Sequence, residues 1–171
     1  MPATIARNAA AMSSRCAVST VEAMPSLLVS RSIEVNAPAS EIFNLLADPA
    51  RHHEIDGSGT VVAAATVDPG RLSLGSKFGM KMRLGVPYRI TNTVVEFVEG
   101  QTIAWKHLGG HVWRYQLEPA SNPNRTVVTE TFDGTVARFP PGLLLAGYPK
   151  RNTASIEATL KRLADRFNTK D

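Results

Sequence analysis

Arg151-Asn152-Thr153-Ala154-Ser155-Ile156-Glu157-Ala158-Thr159-Leu160-Lys161-Arg162-Leu163-Ala164-Asp165-Arg166-Phe167-Asn168 places Ile156, Leu160, Leu163 and Phe167 at i, i+4, i+7 and i+11. That spacing is one stripe of an α-helix, with Glu157, Lys161, Arg162, Asp165 and Arg166 on the other face. Asn152 or Thr153 can cap it, just after a stop at Pro149. An apolar stripe of this kind must be buried. The chain before it reads almost entirely as strands, so the stripe is expected against a sheet.

Working upstream, Leu27 to Asn36 reads as a strand. Ala37-Pro38-Ala39-Ser40-Glu41 then opens a helix, since proline suits a first turn and glutamate complements its positive end. Ile42, Leu45 and Leu46 give that helix a buried face, and Asp48-Pro49 ends it. Beyond it the period falls to two. Thr60 to Val67 is a Val/Ala/Thr run, Lys77 to Leu84 alternates Phe78, Met80 and Met82 with Lys77, Lys81 and Arg83, and Tyr88 to Val98 is long and β-branched. Glu99-Gly100-Gln101 leads to Thr102–Leu108, Gly109-Gly110 turns into His111–Glu118, and Ser121-Asn122-Pro123-Asn124 precedes Arg125–Gly134. Strands joined by such short turns are antiparallel, because a parallel pair needs a long crossover. The expected class is α+β: a curved antiparallel sheet around a long C-terminal helix, with short helical structure after the first strand and a cavity between sheet and helix.

At 171 residues and 43% hydrophobic the chain can bury a sizeable core. No apolar run approaches the ~20 residues that span a bilayer. The single Cys16 permits no internal disulfide and no thiolate cluster, so a reducing, cytoplasmic setting is the default. Residues 1–24 differ in composition. They are rich in Ala and Ser and carry Arg7 and Arg15 against Glu22, which suits a disordered extension ahead of a domain over 25–171. A targeting segment and a physiological start at Met24 are the alternatives. The net charge of +4 invites a nucleic-acid reading. Yet Lys150, Arg151, Lys161, Arg162, Arg166 and Lys170 sit among Glu157, Asp165 and Asp171 on the polar side of the last helix, with no dense basic run or aromatic-interleaved RNA motif, so no nucleic-acid partner is expected.

The run Asn36-Ala37-Pro38-Ala39-Ser40-Glu41-Ile42-Phe43-Asn44-Leu45-Leu46-Ala47-Asp48-Pro49, followed by Gly57-Ser58-Gly59, strands and a terminal helix, resembles the polyketide cyclase/dehydrase and lipid-transport branch of the START-like, helix-grip superfamily. The resemblance covers about Leu27 to Phe167. It implies a seven-stranded sheet gripping the long helix, two short helices after strand 1, and a cavity that in relatives holds polyketides, sterols, lipids or quinones. Some relatives are enzymes and many only carry. Relatives often have a tryptophan just after the first helix, where Arg51-His52-His53 stands here.

Strand alternation nominates the lining of such a cavity. Phe78, Met80 and Met82 share a face, as do Ile103, Trp105 and His107, then His111, Trp113, Tyr115 and Leu117, then Val128, Glu130 and Phe132. The ordinary alternative is that these side chains simply pack a core. His52-His53-Glu54-Ile55-Asp56 puts two imidazoles and two carboxylates in five residues, suited to ligand positioning or to general acid/base work near neutral pH. Adjacent histidines point differently and lack further ligands at metal spacing, so no metal is expected. His52 or His53 as a surface residue and Asp56 as a turn residue ahead of Gly57 are the bland readings. Glu130 needs a partner if buried, which His107 or Arg114 could supply. Candidate acid/base groups are therefore His52, His107 and Glu130. Arg138–Pro149, with Leu144 and Tyr148, could form a lid, a transient membrane contact, or an extra helical turn begun by Pro140-Pro141.

No nucleophile elbow, phosphate loop or dinucleotide fingerprint occurs, and no cofactor is expected. Three functions remain: a binder of a small hydrophobic molecule, a polyketide cyclase or dehydratase in the same cavity, and a partner-binding domain with a closed interior. The first is favoured. Its expected contacts are His52, His53, Phe78, Met80, Met82, Trp105, His107, Trp113, Tyr115, Phe132, Leu144 and Tyr148.

Overall fold

The computed structural model describes residues 26–65 and 70–168. Expectations about residues 1–24, including Cys16 and Met24, about the end of the Thr60–Val67 run, and about Lys170 and Asp171 lie outside the described residues. The elements run β1 (Leu28–Val35), α1 (Ala39–Leu46), a 3-10 turn (Pro49–Arg51), α2 (His52–Ile55), β2 (Val61–Ala64), β3 (Lys77–Leu84), β4 (Val86–Val98), β5 (Thr102–Lys106), β6 (Val112–Pro119), β7 (Thr126–Asp133), α3 (Pro140–Leu145) and α4 (Tyr148–Asn168).

Short turns make each consecutive pair from β2 to β7 antiparallel, and β1 closes the other side by pairing with β7. The order β1-β7-β6-β5-β4-β3-β2 makes one seven-stranded sheet. Its curvature has local causes. Register shifts between Val61 and Ala63, and between Val94 and Glu96, insert the extra residue that bends and twists an antiparallel ladder. The bent sheet wraps α4, as the terminal stripe and the family resemblance led us to expect, and the two short helices α1 and α2 follow β1.

Helix α1 starts where Pro38, extended at φ −63° and ψ 147°, occupies the N-cap position. Ile42, Leu45 and Leu46 are buried as expected, and so is Phe43, which meets Phe97 edge-on at 5.3 Å. The Asp48 side chain accepts a hydrogen bond from the Ala50 backbone N–H at 3.0 Å, which starts the 3-10 turn that delivers His52. The α4 stripe buries Ile156, Leu160, Leu163 and Phe167 in the core.

One boundary is corrected. Helix α4 begins at Tyr148 rather than after Pro149, because a proline in the first turn forfeits no helical hydrogen bond. Gly147, at φ +70°, separates it from α3. Asn152 is consequently inside the helix and buried rather than a cap, and Thr153 donates its hydroxyl hydrogen back to the Pro149 carbonyl. Among the described residues no helix is long and apolar enough to cross a membrane.

Candidate functional site

Alternation along each strand decides which side chains reach the concave side. In β3 and β4 the pairs Phe78–Asn92, Met80–Ile90 and Met82–Tyr88 share it. Across β5, β6 and β7 the row Trp105–Trp113–Phe132 lies beside the row Ile103–Tyr115–Glu130. The bottom of this surface is closed: Phe78, Met80, Ile103, Tyr115 and Phe132 are buried. Nearer its mouth, Met82, Ile90, Trp105, Trp113, Leu143 and Tyr148 pack on the core yet keep part of their surface accessible. Large apolar side chains left partly uncovered beside a core are surface that a small molecule could cover.

Two aromatic groups build the wall. In the first, His52 stacks on Trp105 at 5.0 Å and 21°, Phe78 meets His52 edge-on at 5.6 Å, and Tyr115 lies 5.6 Å from Trp105. In the second, Phe132 is 5.0 Å from Trp113, 5.1 Å from His111 and 6.4 Å from Tyr148. Helix α2 therefore supplies an imidazole whose ring serves as an aromatic face of this wall. An open groove of about 260 Å³ at the far end of the β3–β4 hairpin is lined by Met82 and Tyr88 of this face together with Val62, Lys81, Arg83, Pro87 and Arg89.

His52 is buried, and its Nε2–H donates to the Leu46 carbonyl at 2.8 Å, a geometry that makes Nδ1 the acceptor of the ring. Burial lowers its pKa, so the ring is held neutral. His53 turns away to the surface, its Nδ1 beside the Ala50 carbonyl at 2.8 Å. Glu54 pairs with Arg51 at 3.1 Å and Arg166 at 2.7 Å. Asp56 accepts from the Ser58 N–H at 3.1 Å and hydroxyl at 2.7 Å, and from the Val61 N–H at 3.0 Å, which makes it an organiser of the turn into β2.

Glu130 is 3% exposed on β7. Its partner is the hydroxyl of Tyr115, the residue directly across the ladder on β6. This corrects the expectation that His107 or Arg114 pairs with it. Arg114 lies on the convex face, joined to Glu96 by both ends of its guanidinium. His107 has left the strand: Gly109 N–H donates to its Nδ1 at 2.9 Å and Gly110 N–H to its carbonyl at 2.9 Å, so the turn starts there and β5 stops at Lys106. The His107 ring packs 4.1 Å from His111 instead, and burial lowers both pKa values, that of His111 to about 4 with help from His107. Desolvation raises the Glu130 carboxyl to about 8 against the opposing Tyr115 hydrogen bond, with the Asp56 charge adding to the rise. Glu130 Oε2 has no hydrogen-bond partner.

The three candidate acid/base groups are thus not one cluster. His52 and Glu130 are linked through Trp105 and Tyr115, while His107 stands apart in the β5–β6 turn. Leu144 faces solvent, and its neighbour Leu143 is the residue packed inward. Sequence reasoning passed over Ile90, Leu143 and Asn152. Ile90 follows from extending the alternation of β3 across the hairpin, and Asn152 lies four residues before Ile156, in phase with the stripe. Asn152 is 9% exposed and its Nδ2 has no partner.

A bent antiparallel sheet closed on one long C-terminal helix, with an aromatic inner wall, defines a helix-grip domain. The chain belongs to the polyketide cyclase/dehydrase and lipid transport family, whose model matches residues 26–168. It is 46% identical over 155 residues to the uncharacterized protein Rv0088 of Mycobacterium tuberculosis, covering 88% of this chain and 68% of that protein. Its fold is similar to the solution structure of a protein from Arthrobacter aurescens, with a TM-score of 0.64 at 16% identity over 86% of this chain and 92% of the other. A Polyketide_cyc-like protein, Cgl2372 from Corynebacterium glutamicum, gives 0.57 at 18% identity over 83% and 91%.

Proposed function

We propose that this protein binds a small hydrophobic molecule in the recess between the sheet and α4. The supporting observation is the row of inward-facing side chains, Met82, Ile90, Trp105, Trp113, Leu143 and Tyr148, that the fold leaves partly uncovered. Covering them is favourable at roughly 25 cal/mol per Å² of apolar surface removed from water, and the aromatic faces favour a planar or unsaturated guest. His52 and Glu130, both held uncharged near neutral pH, put polar atoms in the wall without placing a charge there.

The chain's two tryptophans both lie on this wall, which gives a direct test. Native mass spectrometry of the purified protein is expected to show a non-covalent adduct lost on solvent extraction, and fluorene is expected to change tryptophan emission saturably. Absence of both responses overturns the reading.

A second reading, cyclisation or dehydration of a poly-β-keto substrate, is favoured by the Tyr115–Glu130 pair. A carboxylic acid that keeps its proton near pH 7 inside an apolar wall can protonate a developing enolate or a departing hydroxyl. It predicts turnover of a poly-β-keto thioester that Glu130→Gln abolishes while binding persists. Saturable binding without turnover in the unaltered protein leaves the carrier role.

A further inference from the structure

We propose that the β3–β4 hairpin is a membrane-docking element, which seats its apolar tip in the surface of an anionic lipid bilayer with Lys81, Arg83 and Arg89 at the level of the lipid phosphates. The proposal goes beyond the binding of a small molecule and stands without it.

The stretch from Lys77 to Val95 carries Lys77, Lys81, Arg83 and Arg89 and not one carboxylate. The ladder decides how these charges are displayed. Phe78, Met80 and Met82 share the concave side, so alternation puts Leu84 with them and Lys81 and Arg83 on the other face. Across the hairpin Lys81 lies directly opposite Arg89, Met82 opposite Tyr88 and Leu84 opposite Val86. One face is thus cationic and the other apolar, the division found in segments that lie in a membrane interface. The hairpin also overreaches its neighbours. Leu28, Asp133, Val112, Lys106 and Thr93 form one row across the sheet, and β4 starts at Val86, well ahead of Thr93. About 20 Å of paired strand therefore reaches past that row, at about 3.3 Å per residue. Gly85, at φ +73°, closes the tip, where Leu84 and Val86 are 53% and 69% exposed.

Two features of this hairpin are unfavourable in water alone. Lys81 and Arg89 are like charges facing each other across a ladder, an arrangement that destabilises a strand pair. Among the described residues neither they nor Arg83 has an ion pair, and Asp56, the carboxylate ahead of neighbouring β2, is taken up by Ser58 and the Val61 N–H. The second feature is the uncovered apolar tip, with exposed Val62 of β2 beside it in the same groove. An anionic bilayer relieves both, because its phosphates answer the cations while Leu84 and Val86 leave water. A polynucleotide would answer the cations and leave the tip uncovered, so charge and apolar surface together select the bilayer. Other exposed apolar side chains leave the sheet past the same row. Leu108 in the β5–β6 turn and Phe139 after β7 are tied together there by the Arg138 N–H, which donates to the Gly109 carbonyl at 2.9 Å.

Co-sedimentation of the full chain with phosphatidylcholine vesicles, with and without about one third phosphatidylglycerol, tests the proposal. At about 0.1 M salt the chain is expected to sediment with the anionic vesicles and not with the neutral ones, and about 1 M salt is expected to release it. The triple variant Lys81→Gln, Arg83→Gln, Arg89→Gln is expected to lower the partition coefficient about a hundredfold, at about fivefold per cation. Leu84→Asn with Val86→Asn keeps every charge and is expected to lower it about tenfold or more. Leu74→Asn, at an exposed position beyond the other end of β3, leaves it unchanged. All the altered hairpin side chains are exposed, and circular dichroism checks that each variant is folded. Anionic-vesicle binding that survives both hairpin variants overturns the proposal, as does equal binding to neutral vesicles. Absence of vesicle binding overturns it too, whether the chain then binds heparin or pairs with a second copy through the hairpin. The fluorene response of the two tryptophans is read separately, so loss of docking and loss of the small-molecule site are distinguishable.

Discussion

Gly57 is a residue whose side chain has no room to exist. A Cβ there would lie 2.2 Å from the Thr159 backbone nitrogen and 2.4 Å from the Ser155 carbonyl oxygen, because the loop into β2 crosses directly against α4. The contact is fastened by the Gly57 N–H donating to the Thr159 hydroxyl at 2.9 Å and by Arg162 donating to the Asp56 carbonyl. Backbone atoms of a packed helix cannot rotate aside, so Gly57→Ala is expected to cost roughly 3 kcal/mol, at the upper end for overpacking, read as a lowered urea midpoint. Glu130 gives a prediction of opposite sign. Its proton is held up to about pH 8 in the folded state, whereas the unfolded chain releases it near 4.5. The folded protein therefore loses stability as pH rises from 4.5 to 8. At pH 7 the loss is on the order of 3 kcal/mol, and Glu130→Gln should recover most of it, with the gain vanishing below pH 4.5 in urea titrations across that range. Glu130 as an inward polar group was legible from strand alternation. Its partner was not, since the choice among His107, Arg114 and Tyr115 is a matter of register.

Among the elements, α3 is the weakest. Pro140-Pro141 starts it as the ordinary reading of that segment anticipates, but none of its residues is buried, and Phe139 and Leu145 are 70% and 93% exposed. Helices this short are marginal without tertiary packing. Amide exchange at Gly142–Ala146 is accordingly expected within seconds to minutes, far faster than in β6 and β7, whose ladders are paired on both sides; protection in α3 equal to that of β7 would contradict this. The β5–β6 turn shows how an element boundary moves function. Reading Thr102–Leu108 as strand put His107 in phase with Trp105. The ring of His107 instead takes the Gly109 N–H, the ladder stops two residues earlier, at Lys106, and the imidazole joins His111. Competition between a side-chain acceptor and a ladder partner is decided by local geometry, which alternation alone does not report.

At the scale of the whole molecule, the proposed site and the core share one surface, buried at the bottom and partly accessible at Met82, Ile90, Trp105 and Trp113. A guest that fills the site binds only the folded state and must stabilise it. Fluorene at one hundred times its dissociation constant is expected to add about 2.7 kcal/mol, and to raise the melting temperature by on the order of 8 °C, measured by differential scanning calorimetry. A melting temperature independent of fluorene up to saturation would contradict a site inside the fold. The sequence by itself determined the α+β class, the antiparallel sheet and the gripping helix, because periodicity and turn chemistry are local and survive in one dimension. It also placed Phe78, Met80, Trp105, Trp113, Tyr115, Glu130 and Phe132 on one side of their strands. Only the tertiary structure decided that Tyr115 answers Glu130, that Asn152 is buried inside α4, and that His52 stacks on Trp105 while His53 faces water. Those are meetings between residues far apart in the chain, and they depend on register, bulges and the direction in which α4 crosses the sheet.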